Sequence, residues 1–183
     1  NQIKDKYKLD QDNFYIGSFQ RDSEGSDLDK PKLSKGPDRF VEIISDLNKE
    51  IKNLHVVITG KRRNYIINEL TDRGIKFSYF EMVNFESLNE LYNCLDLYLV
   101  TSRQEGGPQA ILECSSNKTP ILSTDVGFAS KALNSNCILE SAQDFIDKIQ
   151  SKDFDYPLKN NEKLQSYTMK KIMPKYIDLF ESL

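Results

Sequence analysis

The sequence contains few of the residues on which several common functional sites depend. It has one histidine, His55, which excludes a histidine-rich metal site and argues against a Ser-His-Asp triad. Its three cysteines, Cys94, Cys114 and Cys137, are scattered, lack CxxC spacing and adjoin apolar residues. We therefore expect buried, unreactive thiols in a protein of a reducing compartment.

Long apolar segments and a strong charge of either sign are also missing. No apolar run approaches the ~20 residues of a membrane-spanning helix, and no signal peptide is apparent. The net charge of −3 and the pI near 5.3 argue against nucleic acid as a main partner, because phosphate backbones require a basic field. A local basic cluster remains compatible with one small phosphate ligand. The polar stretch 1–12 begins without methionine, which we interpret as a cut through a longer protein.

Short apolar runs alternate with helical patterns, and there is no internal repeat. The predicted strands are 14–18, 55–59, 76–80, 95–100, 120–123 and 137–139. The predicted helices begin at Pro37 and cover 64–73, 87–93, 108–117, 141–149 and 162–183, the last with a kink at Pro174. This order favours right-handed βαβ units. We therefore predict one domain over 1–183, a Rossmann-like three-layer α/β/α fold with a parallel sheet of about six strands and a closing helical segment over 159–183. Ligands of such folds bind in the loops at the carboxyl ends of the strands.

The most informative segment runs from Glu105 to Glu113, after the apolar run 96–101 and at the start of a predicted helix. Gly106 and Gly107 allow close approach of the backbone to a ligand, and Pro108 suits the first helical position. Helix N-termini attract anions, and a carboxylate can accept hydrogen bonds from two adjacent hydroxyls. The segment therefore predicts a site for a polyhydroxylated ligand that carries phosphate. The alternative is that Glu105 only complements the helix dipole and Glu113 is a solvated surface residue.

Residues 14–133 resemble the C-terminal, donor-binding half of the retaining GT-B glycosyltransferases of the group 1 (GT4-like) family. That family has a Glu, seven residues, Glu motif after a strand ending in Pro-Ser. Here Glu105 and Glu113 follow Val100-Thr101-Ser102, with Thr101 in place of the proline. The helix, aspartate and strand before the motif correspond to 91–100. The G-x-P-v-i-s-t-d-x-G-G continuation corresponds to 118–127, with Lys118 in place of the first glycine.

The resemblance implies roles for the residues of this motif. The ligand would be a sugar nucleotide, with Glu113 on the ribose hydroxyls and Glu105 on the hydroxyls of the transferred sugar. Gly106, Gly107 and Pro108 would present backbone to the sugar and the phosphates.

The resemblance also implies cations in the first long loop, 20–36, that neutralise the donor diphosphate. The family form is G-R, a few residues, then K-G, which corresponds here to Gly17, then Arg21, then Lys35, in a longer loop. Lys32 is the substitute if the loop folds differently. Two cations beside a leaving diphosphate would stabilise the charge that develops as the glycosidic bond breaks. The alternative is a hydrated loop whose acidic residues balance these charges.

Other segments leave alternatives open. The Asp27-Leu28-Asp29 sequence matches a metal-binding DxD superficially, but it follows no apolar strand and is interpreted as a solvated loop. The basic run 61–63 either contacts donor phosphates or decorates a helix start. The segment 79–83 either reads the nucleotide base, as the family resemblance implies, or belongs to the core. The aromatic side chains on the last helix are expected in core or interdomain packing, namely Tyr167, Tyr176 and Phe180.

The resulting hypothesis is a donor-binding domain of a retaining, hexosyltransferase-type enzyme. It would bind a UDP-, GDP- or ADP-sugar without a cofactor or metal and would act with an N-terminal acceptor domain of the same protein. A role in polysaccharide biosynthesis is one expectation among lipid, polysaccharide and protein acceptors. The alternatives are a GT-B sugar-nucleotide epimerase and a non-catalytic nucleotide-binding module. We expect a cytoplasmic protein, with peripheral association at the inner face of the membrane left open for the full-length enzyme, and little turnover by this chain alone.

Overall fold

A computed structural model describes residues 2–182 of the chain, and its centre is a parallel sheet. In chain order the strands are β1 (Phe14–Ser18), β2 (Ser23–Glu24), β3 (Asp27–Pro31), β4 (Leu54–Thr59), β5 (Phe77–Phe80), β6 (Leu97–Val100) and β7 (Ile121–Ser123). Five of them form the sheet, in the order β5-β4-β1-β6-β7, and every pairing is parallel. The predicted Rossmann-like α/β fold is confirmed.

Helices cover both faces of this sheet. They are α1 (Gln2–Lys6), α2 (Pro37–Glu50), α3 (Asn64–Asp72), α4 (Phe85–Cys94), α5 (Gln109–Asn117), α6 (Ala129–Ala132), α7 (Ala142–Gln150), α8 (Pro157–Leu164) and α9 (Met169–Glu181). Helix α2 packs against α3 and α7, whereas α5 packs against α4 and α8. Successive residues of a strand point to opposite faces. Because Val56, Val57 and Ile58 are all fully buried, both faces of β4 are covered.

The predicted sixth strand, 137–139, is not a strand of the sheet. Only Ile138 pairs with β7, through a single parallel bridge to Ser123. The preceding residues form a 3₁₀ turn over Ser135–Cys137, in which the Asn134 side chain accepts a hydrogen bond from the Asn136 N–H. Because this turn includes Cys137, the first residue of the predicted strand, the strand cannot extend in that direction.

Several predicted helix starts differ from the observed ones by one to three residues, and the starts of α4 and α5 are informative. Helix α4 begins at Phe85, because the Asn84 side chain accepts the N–H of Ser87 at 2.8 Å and so caps the helix. Helix α5 begins at Gln109, and Pro108 is its extended N-cap rather than its first residue. The predicted start of α2 at Pro37 is confirmed.

The first long loop is more ordered than the sequence indicated. It contains the antiparallel pair β2–β3 and a 3₁₀ turn over Leu33–Lys35. Asp27, Leu28 and Asp29 lie in β3 and are exposed, which agrees with their interpretation as solvated. The described residues contain no group of three His, Cys, Asp or Glu side chains arranged for a metal ion.

The C-terminal segment is divided where one helix was predicted. Helix α8, a 3₁₀ turn over Gln165–Tyr167 and α9 take the place of 162–183, and Leu183 lies outside the described residues. Pro174 lies inside α9. Tyr167, Tyr176 and Phe180 are exposed, so their predicted place in the core of this domain is wrong and interdomain packing stays a prediction. Between residues 2 and 182, no helix has the length and apolarity needed to cross a membrane.

The three cysteines are free and buried, as predicted. Burial raises the pKa of each thiol, most strongly at Cys114 inside α5. Since the thiolate is the reactive form, these side chains act as small apolar core residues.

Candidate functional site

The segment before α2 is fastened to the end of β6. The Thr101 hydroxyl donates to the Gly36 carbonyl oxygen at 2.8 Å. Gly36 has a φ of +63°, and a Cβ there would lie 2.0 Å from the Thr101 carbonyl oxygen. Only glycine satisfies both the left-handed backbone and this close approach. Lys35, the residue before it, is thereby held beside the loop that follows β6.

A second set of contacts joins the same two segments. The Ser34 carbonyl accepts the backbone N–H groups of Arg103 and Gln104, at 2.8 and 3.0 Å. The Arg103 guanidinium makes a two-pronged ion pair with Asp38 at 2.7 and 2.6 Å and donates to the Leu33 carbonyl at 3.0 Å. The loops after β1 and β6 therefore form one unit at the carboxyl edge of the sheet.

Glu105 and Lys35 form an ion pair at the centre of this unit. Their side chains are only 12% and 25% exposed, and the Ser102 hydroxyl donates to the Glu105 carboxylate at 3.1 Å. Burial, followed by the positive charges of Lys32 and Arg21, lowers the pKa of Lys35. The Glu105 carboxylate acts in the opposite direction, because an opposite charge favours the protonated ammonium. The three cations Arg21, Lys32 and Lys35 thus lie close enough to repel one another, and their predicted contact with a diphosphate stays a prediction.

A cleft of about 410 Å³ opens in front of this ion pair, and we refer to it as the cleft. It brings together most of the predicted site residues, namely Arg21, Lys35, Glu105, Gly107, Pro108 and Glu113. Glu105 and Glu113 therefore both line one common space, and Glu113 is half-buried rather than a solvated surface residue. The assignment of ligand-binding roles to these residues stays a prediction.

Three aromatic rings that the sequence analysis missed form one wall of the cleft. Phe19, Tyr92 and Tyr98 line it, and their ring centroids lie 4.8 to 5.4 Å apart. The Tyr98 hydroxyl accepts the Phe19 N–H at 2.9 Å, which fixes the chain after β1. These rings come from three separate elements, so no local sequence pattern joined them. Their position beside Glu113 became visible only in the fold.

Tyr92 is also the hydrogen-bond partner of Glu113. Its hydroxyl donates to Oε2 of Glu113 at 2.7 Å, and burial raises the pKa of Tyr92 far above its usual value. The phenol therefore stays protonated and acts as a donor at all physiological pH values. Glu113 is half-buried on α5, and this contact orients its carboxylate toward the cleft.

The bend at Gly106 and Gly107, before α5, packs against the loop that follows β7. Gly127 has a φ of +58°, and a Cβ on it would lie 2.5 Å from the Gly106 carbonyl oxygen. A Cβ on Gly107 would lie 2.6 Å from the Phe128 ring. Gly106 and Gly107 were predicted to let the backbone approach a ligand closely. In the structure, part of this close approach is to other residues of the chain, Gly127 and Phe128. Gly107 and Pro108 line the cleft, whereas Gly106 makes the contact with Gly127.

Gly17 and Lys32 do not line the cleft. Gly17 lies inside β1, where a Cβ would be 2.3 Å from Cδ1 of Leu95, so packing accounts for this glycine, and its predicted contact with a ligand stays a prediction. Lys32 is half-buried, and its positive charge contributes to the lowered pKa of Lys35.

The three residues of the basic run 61–63 differ in burial and in their contacts. Arg63 is fully buried and paired with Asp22, with the Nε–Oδ2 distance at 3.1 Å, so it is a structural residue and not a phosphate ligand. Lys61 is exposed, and neither it nor Arg62 lines the cleft.

A smaller groove of about 220 Å³ adjoins the cleft between α4 and α5. It shares Leu88, Tyr92 and Glu113 with the cleft and has Phe85, which is 91% exposed, at its mouth. None of the residues 79–83 lines the cleft or the groove. Tyr79 instead donates to the Gly60 carbonyl at 3.0 Å.

Comparison with known proteins gives a consistent family and fold. A model of the family described as glycosyl transferases group 1 matches residues 31–166. No protein in the curated set matches the chain significantly.

Solved structures match over nearly the whole chain. A glycosyltransferase from Rickettsia africae ESF-5 has a TM-score of 0.78 at 16% identity, over 99% of this chain and 50% of its own length. The C-terminal domain of the group 1 family protein LpcC from Francisella tularensis has a TM-score of 0.69 at 15% identity, over 90% of both chains. Anabaena Alr3699/HepE, in complex with UDP and glucose, has a TM-score of 0.76 at 15% identity, over 100% of this chain and 52% of its own length. The present chain thus spans about half the length of the first and third of these proteins.

Proposed function

Because the chain belongs to the group 1 glycosyltransferase family, we propose that it is the domain that binds the sugar-nucleotide donor of such an enzyme. The observation that carries this proposal is the convergence of Glu105, Glu113, Arg21 and Lys35 on one cleft of about 410 Å³. The complex of Alr3699/HepE with UDP and glucose supports a donor of this class.

The nucleoside end of the donor would lie toward α4. Tyr92 occupies Oε2 of Glu113, which leaves the other carboxylate oxygen to accept hydrogen bonds from the ribose hydroxyls. The adjoining groove between α4 and α5 offers the space next to Glu113 for the base. In this arrangement Glu113 lies where the cleft, which would hold the ribose, meets the groove, which would hold the base.

The diphosphate would lie between Arg21, Lys35 and the backbone before α5. Cationic side chains that are already in position when the reaction begins stabilise the negative charge that develops on the leaving diphosphate. Glu105, beside Lys35, would then accept hydrogen bonds from the hydroxyls of the transferred sugar. The arrangement supplies these charges from side chains alone, and we propose that the domain needs neither metal nor cofactor.

The experiment that tests this function is calorimetric titration with UDP, GDP and ADP and with their glucose conjugates. We expect at least one series to bind. Replacing the charged acceptor in Glu113→Gln would weaken that binding about ten- to hundredfold, because hydrogen bonds to charged groups contribute roughly 1.5–3 kcal/mol. Glu140→Gln, an exposed residue outside the cleft, is the matched control. Unchanged affinity in Glu113→Gln would remove Glu113 from the site.

Further parts of the proposal concern the whole enzyme. We propose a retaining hexosyltransferase, on the strength of the Glu105 to Glu113 motif, with the acceptor bound by an N-terminal domain and with location in the cytoplasm. The chain alone would bind the donor but transfer little sugar. Product anomers, assigned by NMR for a protein that includes both domains, would test the stereochemistry.

A further inference from the structure

Arg63 is a fully buried guanidinium that joins the carboxyl ends of two strands. Its Nη1 donates to the carbonyl oxygens of Ser18, at the end of β1, and of Thr59, at the end of β4, the latter at 2.7 Å. Its Nη2 donates to the Ser18 hydroxyl at 3.1 Å, and its Nε donates to Asp22 at 3.1 Å. Its planar fork of donors makes four hydrogen bonds to these three residues, one more than the three N–H donors of an ammonium group could make.

Asp22, also fully buried, connects this guanidinium to the edge of the cleft. Its carboxylate accepts the N–H of Ile66 at 3.3 Å in addition to the Arg63 contact. Its carbonyl oxygen accepts the N–H of Lys32 at 2.7 Å. The residue that precedes it is Arg21, which lines the cleft. The buried carboxylate therefore fixes the backbone of Asp22, which is joined to Arg21 by the chain and to the Lys32 N–H through its carbonyl oxygen.

Stability alone is a weak reason to bury such a pair. The cost of removing two charges from water often exceeds their mutual attraction, and apolar replacements of similar size are frequently as stable. Burial disfavours the charged form of both residues, because it raises the pKa of Asp22 and lowers the pKa of Arg63. The charge of each residue opposes the pKa shift of the other. What the pair provides is a fixed geometry at the rim of the cleft.

We propose that the buried Asp22–Arg63 pair is a positioning device that holds Arg21 for binding of the diphosphate group of a nucleotide. The inference rests on the proposed function, because it assigns a diphosphate to that side of the cleft. Neither Asp22 nor Arg63 contacts the ligand. Their effect is therefore confined to the part of the ligand that Arg21 meets.

The first test compares nucleoside diphosphates with nucleosides. Affinities of UDP, GDP and ADP are measured by calorimetry, and those of uridine, guanosine and adenosine by ligand-observed NMR. In Arg63→Met the diphosphate affinity is expected to fall on the order of tenfold, while the nucleoside affinity stays within about twofold. An equal loss for both ligands would indicate general damage to the fold and would overturn the inference.

The second test separates positioning from stability. In Asp22→Leu/Arg63→Met both charges are removed together, so the fold is expected to recover stability while the diphosphate affinity stays low. Phe145→Ala, in the core on α7, is a control that loses stability far from the cleft. If the double replacement binds diphosphates as tightly as the unaltered chain, the pair does not position Arg21.

The third test is a double-mutant cycle with Arg21→Gln. If Arg63 acts through Arg21, the combined variant Arg21→Gln/Arg63→Met binds diphosphate no more weakly than Arg21→Gln alone. Additive losses would overturn the inference while leaving the proposed function intact. If the unaltered chain binds none of the nucleotides, the proposed function fails and this inference fails with it.

Discussion

Gly36→Ala is the substitution whose effect the structure defines most fully. The left-handed backbone of Gly36, with φ at +63°, costs a residue with a side chain roughly 1–2 kcal/mol. The new Cβ would also lie 2.0 Å from the Thr101 carbonyl oxygen, so the two segments must move apart. With the added loss of a hydrogen bond of about 1 kcal/mol, we expect a total destabilisation of ~2–3 kcal/mol. In a chain of this size that corresponds to a fall in melting temperature of about 4–12 °C.

The matched control is Gly74→Ala. Gly74 has nearly the same φ, +65°, but a Cβ on it would meet no atom within 4 Å, so only the backbone cost applies. Urea unfolding of both variants isolates the cost of the close approach, and titration with UDP, GDP and ADP measures its effect on the cleft. We expect Gly36→Ala to be the less stable variant and the only one with weakened nucleotide binding. Equal unfolding free energies would refute the contact between Gly36 and Thr101.

Two further predictions concern single side chains. Tyr92→Phe removes the donor to Glu113 and should cost ~1 kcal/mol of stability in urea unfolding and several-fold in nucleotide affinity, whereas Tyr176→Phe, at an exposed position, should change neither. Burial, followed by the charge of Lys76, lowers the pKa of His55 from 6.5, so the unfolded chain binds the proton at a higher pH than the folded chain. The stability that His55 contributes is therefore complete above about pH 6.5 and is lost as the pH falls toward its folded-state pKa; a urea midpoint that declines equally in His55→Gln would contradict this.

The regular elements were predictable because their signals are local. The stripe of Phe40, Val41, Ile44 and Leu47 predicted α2, and all four side chains are buried. The apolar runs around Val57 and Leu99 predicted buried parallel strands in the same way. The errors lie where short-range hydrogen bonds compete, as at Asn84, whose side chain sets the start of α4 three residues before the predicted cap.

The site was predictable to the extent that it follows one motif. Glu105 and Glu113 were identified from their spacing, and the fold places both on the cleft. The roles of Gly17 and Arg63 depend instead on residues distant in sequence, Leu95 for the first and Asp22 for the second. No local pattern distinguishes a glycine that accommodates a leucine side chain from one that accommodates a ligand.

If the cleft binds a sugar-nucleotide donor as proposed, the contact between Lys35 and Glu105 would make binding of the diphosphate and binding of the sugar interdependent. While the ammonium neutralises the carboxylate, hydroxyl groups compete with it for the same oxygens. An incoming diphosphate would draw the ammonium toward itself and release those oxygens. A free monosaccharide lacks that means of displacement, so the domain would discriminate against unactivated sugars before any specific recognition of the hexose takes place.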